Sequence, residues 1–308
     1  MSSVQDAPHV SICTPTFNRR PFIPQLIKCI ESQDYPADKI EWIVIDDGTD
    51  PIDDLLATSR INRIKYYYYN VKMSLGKKRN LMHTKCSGNI IIYMDDDDFY
   101  PPTRISHAVA TLAENPSCLI AGCNEMYIYY HSCNSLYHCG PYGKNHSTAA
   151  SFAFRRELLS TTSYDEAKEF TEEKDFLKNY TVPLVQLDPI KTILVFAHDH
   201  NTLDKEKLKT NAARSKTCVS TKSVTDFSIP DDAIRFYTHD VHKILKAYEL
   251  GEIKHKPKIV DAISESNIYR SSVVDAYEQK LAAQTCVITK CIDKIKRLNS
   301  IIDEMKNV

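Results

Sequence analysis

The chain is 308 residues long, enough to bury one large core with an extension, or two cores. Its 39 Lys and Arg against 40 Asp and Glu give a formal net charge of −1, which excludes a wholesale nucleic-acid or membrane-surface binder. Ten scattered cysteines, an N-terminus (MSSVQDAPHV) without a basic and apolar leader, and no apolar run near the roughly 18 residues of a membrane span point to reduced thiols and a cytoplasmic protein.

In chain order, residues 9–14 predict a strand ended by Pro15, followed by a polar elbow (Thr16-Phe17-Asn18-Arg19-Arg20) and a helix over 22–32. That helix carries Phe22, Ile23, Leu26, Ile27 and Ile30 at helical spacing. Residues 41–45 read as a second buried strand ending in Asp46-Asp47-Gly48, and 64–70 as a third. A helix opens near 74–80 with Lys77-Lys78-Arg79 in its first turns. The apolar run 89–94 then predicts a buried strand that delivers Asp95, Asp96, Asp97 and Asp98 before Pro101-Pro102 stop it. Strands alternating with helices imply an α/β fold with a mainly parallel sheet.

Beyond this, the patterns give a helix over 105–114, strands over 118–121, 126–130 and 151–154, a charged helix over 170–180, and strands over 182–187 and 191–197. The last leads into His198-Asp199-His200-Asn201-Thr202. The resulting division is a nucleotide-binding domain over 1–205, a Lys-, Thr- and Ser-rich linker over 206–228, and a helical region over 229–308. In that region, a helix over 231–250 is capped by Asp231-Asp232 and ended by Gly251. A last helix over 271–307 places Val274, Leu281, Ile288, Ile295 and Ile302 on one line and Tyr277, Gln284, Cys291, Leu298 and Met305 on its neighbour. Seven-residue spacing of this kind suits self-association as a coiled coil. Additional apolar residues (Val273, Val287, Ile292, Ile301) suit equally a helix packed against the preceding one.

The chemistry concentrates where strands end. Four adjacent carboxylates at the carboxyl end of a buried strand repel one another and lose hydration, so they ask for a cation. Mg²⁺ and Mn²⁺ prefer such oxygen ligands and share them with substrate phosphates. The pair Asp46-Asp47 can hold a ribose and a base, and Lys77 and Arg79 can hold phosphate. The three clusters on one sheet edge, where open α/β sheets bind ligands, describe a nucleoside-diphosphate site. The segment containing His131, Cys133, His138 and Cys139 lacks familiar zinc-ligand spacing and argues against a zinc site.

The ordered set Thr14-Pro15-Thr16-Phe17-Asn18-Arg19, Val44-Ile45-Asp46-Asp47-Gly48, Gly76-Lys77-Lys78-Arg79-Asn80 and Met94-Asp95-Asp96-Asp97-Asp98 resembles family 2 glycosyltransferases of the GT-A fold, over roughly the first 200 residues. The resemblance implies that Thr14, Thr16, Asn18, Arg19, Asp46, Asp47, Lys77, Arg79, Asp95, Asp96 and Asp98 surround a nucleotide-sugar donor, with a UDP-sugar expected. Within the run, it makes Asp97 the metal ligand, Asp95 and Asp98 donor contacts, and Asp96 a spacer. The segment 170–176 resembles the family's Glu-Asp motif, with Glu173 where Asp is usual, so the catalytic base is Glu173, Glu172 or Asp175. The histidine segment resembles one that lends a metal ligand, His198 or else His200, to Mn²⁺ or Mg²⁺. The arrangement is also similar to glycosyltransferases encoded by large DNA viruses, which would place the protein in host cytoplasm.

The implied reaction is a single inverting displacement onto an acceptor hydroxyl of a glycan, protein or lipid, with no enzyme nucleophile. A sugar nucleotidyltransferase would carry a glycine-rich loop after the first strand, and none is present. A non-catalytic transferase-like scaffold is the remaining alternative.

Overall fold

The structure is a computed structural model that describes residues 7–169, 171–210 and 216–306, the last few as backbone only. Two compact units divide the chain, residues 1–256 and 257–308.

In the first unit, β1 (Val10–Thr16), β2 (Ile40–Asp46), β3 (Ile64–Tyr68) and β4 (Ile90–Tyr93) form a parallel block in the order β3-β2-β1-β4. The sheet continues through β8 (Ala153–Arg155), β5 (Ile120–Gly122) and β9 (Leu184–Gln186), with β8 antiparallel to both neighbours. Every residue of β1, β2 and β4 is buried, the pattern of strands covered on both faces. Helix α1 (Ile23–Glu31) buries Ile23, Leu26, Ile27 and Ile30 on one side. Helix α2 (Asp53–Leu56) is a single turn after β2. On the other side, α3 (Leu75–Lys85) buries Met82 and His83 together with the charged Lys78 and Arg79. Helix α4 (Arg104–Glu114) follows the acidic run and buries Ile105, Ala108 and Leu112.

A second sheet, in the order β10-β6-β7-β11, contains β6 (Met126–Tyr130), β7 (Ser135–Cys139), β10 (Val195–Ala197) and β11 (Thr217–Val219). Because β10 ends here, residues 198–201 arrive beside the acidic run.

Several sequence expectations change. β1 runs through Pro15 to Thr16, since its pairing with β4 ends at Cys13 and the missing Pro15 N–H costs no ladder bond. The expected linker over 206–228 contains α6 (Glu206–Thr210) and β11, which pairs with β7. Residues 231–247 form a helical run, Asp231–Arg235, Phe236–Asp240 and Val241–Ala247, inside the first unit rather than in a separate helical region. The expected helix over 170–180 shrinks to α5 (Glu173–Phe176), because Lys178, Asn179 and Tyr180 all adopt positive φ. Phe170 lies outside the described residues.

The second unit is one helix, Pro257–Lys306, 50 residues and about 75 Å long at 1.5 Å per residue. Val274, Tyr277, Leu281, Ile288, Ile295 and Leu298 stand exposed along it. The side chains of Ile301, Ile302 and Met305 lie outside the description. Among the described residues no helix is long and apolar enough to cross a membrane.

Candidate active site at the carboxyl edge of the sheet

The acidic run leaves β4 and turns immediately, so its four carboxylates diverge. Asp97 Oδ2 lies 3.0 Å from His198 Nε2, 3.3 Å from Asn201 Nδ2 and 3.8 Å from Arg19 Nε. Burial opposes its ionisation, but the His198 hydrogen bond and the nearby cations hold it well below the usual carboxylate range. The other three are pushed upward, each mainly by burial. Asp96, 3.7 Å from Arg19 Nε, rises to about 7. Asp98 accepts the Phe196 N–H at 3.2 Å, and its carbonyl accepts the Tyr237 hydroxyl at 3.0 Å, so it anchors β10 and the helical run. Asp95 has its backbone N–H on Tyr100 Oη at 2.6 Å and its Oδ1 3.6 Å from Arg79. Asp98, expected against the donor, is buried with one carboxylate oxygen on the Phe196 N–H.

The His198 side chain is 1% exposed, and that burial lowers it to about 3, so the ring is neutral at pH 7. Its Nδ1 lies 3.2 Å from the His200 N–H, and its Nε2 faces both the Asn201 amide at 2.8 Å and Asp97 Oδ2 at 3.0 Å. The His200 ring packs instead against Gly251, where an added Cβ would meet Nδ1 at 2.6 Å. Of the two histidines, His198 is the one beside Asp97.

Among the described residues, no three His, Cys, Asp or Glu side chains converge as a ready cation cage. What converges is the Asp97–His198 pair, one oxygen and one nitrogen from two strand ends. The pair fits a hard divalent cation that takes its remaining ligands from phosphate oxygens and water, the usual habit of Mg²⁺ and Mn²⁺. His131, Cys133, His138 and Cys139 do not form such a group: His138 bonds Glu125 at 2.6 Å and Cys139 accepts from Thr217 at 3.3 Å.

The elbow after β1 builds the next part. Phe17 presents its ring to the ammonium groups of Lys72, Lys78 and Lys256 at 4.8, 5.9 and 5.2 Å. Asp47 sits beneath, its Oδ1 held by Lys78 Nζ at 2.6 Å and its Oδ2 by the Met73 N–H at 2.6 Å. Lys78 Nζ also donates to the Thr16 carbonyl at 3.0 Å. Lys77, expected here, is exposed one helical step away, and Lys78 occupies the pocket. Arg19 donates to the carbonyls of His200 and Gly251 and so joins three chain segments.

Other expected donor contacts carry hydrogen bonds within the fold. Thr14 Oγ1 bonds the Met94 carbonyl at 2.7 Å and accepts from Trp42. Asp46 is taken by the Gly48 N–H at 2.9 Å and the Tyr66 hydroxyl at 2.8 Å. Asn18 Oδ1 accepts the Thr49 N–H at 2.7 Å while Nδ2 reaches the Leu250 carbonyl at 2.7 Å. Thr16 keeps a buried hydroxyl without a partner among the described residues.

Arg79 connects this edge to α5. Its Nε donates to Glu172 at 2.8 Å, its guanidinium lies over Tyr93 at 4.4 Å, and one buried terminal nitrogen has no partner among the described residues. Glu172 is therefore spent on Arg79. Asp175 is at the surface, 3.9 Å from Lys168. Glu173 lies between them, half-buried, and burial followed by the Glu172 charge raises it to about 7. Sequence reasoning missed Lys256 and Asn201; Asn201 lay within the histidine segment, whereas Lys256 carries no local signal.

Residues 11–159 match Glycosyl transferase family 2. The chain is 26% identical over 111 residues to poly(ribitol-phosphate) beta-N-acetylglucosaminyltransferase TarS of Staphylococcus aureus, covering 35% of this chain and 19% of that protein. It is 32% identical over 113 residues to the GalNAc(5)-diNAcBac-PP-undecaprenol beta-1,3-glucosyltransferase of Campylobacter jejuni, covering 35% and 34%. The matched stretch thus spans only 19% and 34% of the length of these relatives. Among solved structures, residues 1–349 of S. aureus TarS superpose with a TM-score of 0.52 at 18% identity, covering 61% of this chain and 60% of that one. A mannosyltransferase from Pyrobaculum calidifontis in complex with GDP-Man and Mn²⁺ gives 0.52 at 16% identity, covering 86% and 77%. The fold is GT-A.

Proposed function

We propose that this chain, whose residues 11–159 carry a glycosyl transferase family 2 domain, moves a sugar from a nucleotide-diphospho-sugar to an acceptor hydroxyl with inversion. The observation that carries the reading is Arg79, one buried guanidinium 3.6 Å from Asp95 on the donor side and 2.8 Å from Glu172 beside the candidate base. We place the base on the side of the site that Phe17, Lys78 and Asp47 build. A UDP-sugar is the donor we expect, and the acceptor is a hydroxyl of a glycan, protein or lipid.

Asp97 and His198 would hold a divalent cation, Mn²⁺ or Mg²⁺. Such a cation supplies neutralisation of the charge that develops on the departing diphosphate. Glu173, poised near neutrality, takes the proton of the attacking hydroxyl. Arg79 fixes Glu172 and thereby the α5 turn on which Glu173 stands. No side chain here is needed as a nucleophile, since the hydroxyl attacks the anomeric carbon directly. The exposed apolar lines of Pro257–Lys306 support association with a second copy; identical sedimentation of the full chain and of one ending at residue 256 would rule it out.

The test is a panel of nucleotide sugars titrated by calorimetry in Mn²⁺, followed by product analysis. We expect one nucleotide class to bind, turnover to vanish in Asp97→Ala, and Glu173→Gln to bind donor normally yet transfer nothing. Full activity in excess EDTA would overturn the metal role. Normal transfer by Glu173→Gln would move the base elsewhere.

A further inference from the structure

Residues 248–256 lie beyond the stretch that matches the family, yet they close on the elbow after β1. Asn18 Nδ2 donates to the Leu250 carbonyl at 2.7 Å, Arg19 Nη1 to the Gly251 carbonyl at 3.3 Å, and the Tyr248 hydroxyl to Asp50 at 2.7 Å. Gly251 is pressed so closely that an added Cβ would lie 2.8 Å from the Asn18 carbonyl. This packing delivers Lys256, only 4% exposed, to the face of Phe17.

The Lys256 ammonium has no hydrogen bond or carboxylate partner among the described residues. Its surroundings are mostly of its own sign: burial, then Arg19 and Lys78, push it well below the usual lysine range, and Asp96 only partly offsets them. A buried, unpaired ammonium among other cations is destabilising. Its contact with one phenyl ring offsets only part of that cost. Such an arrangement persists most readily where an anion completes it. Lys78 has little left to offer that anion, being already bonded to Asp47 and to the Thr16 carbonyl. Lys256 retains its full donor capacity. Arg19 lies 3.8 Å from Asp97, so one cation stands at Phe17, Lys256, and another at Asp97, Arg19. A diphosphate that reaches from the Phe17 side towards Asp97 would meet both.

We propose that residues 248–256 form a wall of the donor pocket and that Lys256 binds a phosphate oxygen of the nucleoside diphosphate. This rests on the donor reading above and extends it to a segment 232 residues distant from the elbow it contacts.

The test compares the full chain with Lys256→Met and Lys256→Arg. UDP and GDP binding are measured by calorimetry in Mn²⁺, uridine and guanosine binding by ligand-observed NMR, and thermal midpoints without ligand. We expect Lys256→Met to weaken the preferred diphosphate at least tenfold and the matching nucleoside less than twofold. Lys256→Arg should restore most of the loss. The ligand-free Lys256→Met protein should melt no lower than wild type, because an unpaired buried charge has gone. Unchanged diphosphate affinity in Lys256→Met, or equal losses for diphosphate and nucleoside, overturns the phosphate contact while leaving the donor reading intact. A wild-type chain that binds neither diphosphate overturns both.

Discussion

Replacing Arg79 by Met would keep an aliphatic stem over Tyr93 while removing the guanidinium from two buried carboxylates. Arg79 and Glu172 side chains are 2% and 4% exposed, and their ion pair is 2.8 Å long, so little solvent can replace the lost partner. Breaking a buried pair by deleting one member costs about 3–5 kcal/mol. That is a large part of the roughly 5–15 kcal/mol that holds a domain folded. For a unit of this size it translates into a fall in melting midpoint on the order of 10 °C by scanning calorimetry. Pairing Arg79→Met with Glu172→Gln removes one of the stranded charges and should recover more than half of the loss, which a double-mutant cycle reads directly. A loss below about 1 kcal/mol, or a double variant no better than the single one, would refute Arg79 as the buried link between the donor edge and α5.

Turnover should rise with pH through about 7 and then level, because Glu173 must be ionised to accept a proton; a flat profile between about pH 5 and 8 would refute Glu173 as the base. The same group affects stability. Its folded value lies above the unfolded one, so its contribution is present below about 4.5 and is lost as pH rises through about 7, a slope that urea titrations should find absent in Glu173→Gln. Gly251→Ala introduces a Cβ at 2.6 Å from His200 Nδ1, and we expect a stability loss of about 1–3 kcal/mol with several-fold weaker diphosphate binding. Wild-type behaviour in both would refute the close packing there. His198→Ala should raise the Mn²⁺ concentration required for half-maximal nucleotide binding at least tenfold, read by Mn²⁺ paramagnetic resonance; an unchanged requirement would leave Asp97 without its partner.

The strands that carry the acids were legible because buried parallel strands are short, apolar and β-branched, and a carboxylate run after one is conspicuous. The choice of Asp97 within that run, and of the histidine segment as its companion, came from the family resemblance and not from periodicity. The choice between Lys77 and Lys78 was not legible: adjacent helical residues differ by about 100° in direction, and only packing decides which enters the site. Asp46 and Asn18 look like ligand-binding groups in sequence, yet both satisfy backbone N–H groups of the turn after β2. Polar side chains that stabilise a tight turn and those that await a ligand are the same residue types. Residues 206–228 read as linker because β11 is a short edge strand of Thr217, Cys218 and Val219, paired with β7 alone. Lys256 was invisible for another reason: its meaning comes from a contact with Phe17, far away in the chain.

The position of Arg19 also bears on how the protein is made. Its guanidinium is held by carbonyls at 200 and 251, and the neighbouring Asn18 by the carbonyl at 250. A nascent chain that has emerged only as far as residue 205 has already exposed every recognisable motif, but the elbow still lacks two of its clasps. Contacts so distant along the chain close late, after the loop entropy between them has been overcome. Synthesis of the wall segment thus becomes the event that completes the pocket, and ribosome-stalled chains of increasing length should gain nucleotide binding abruptly rather than gradually.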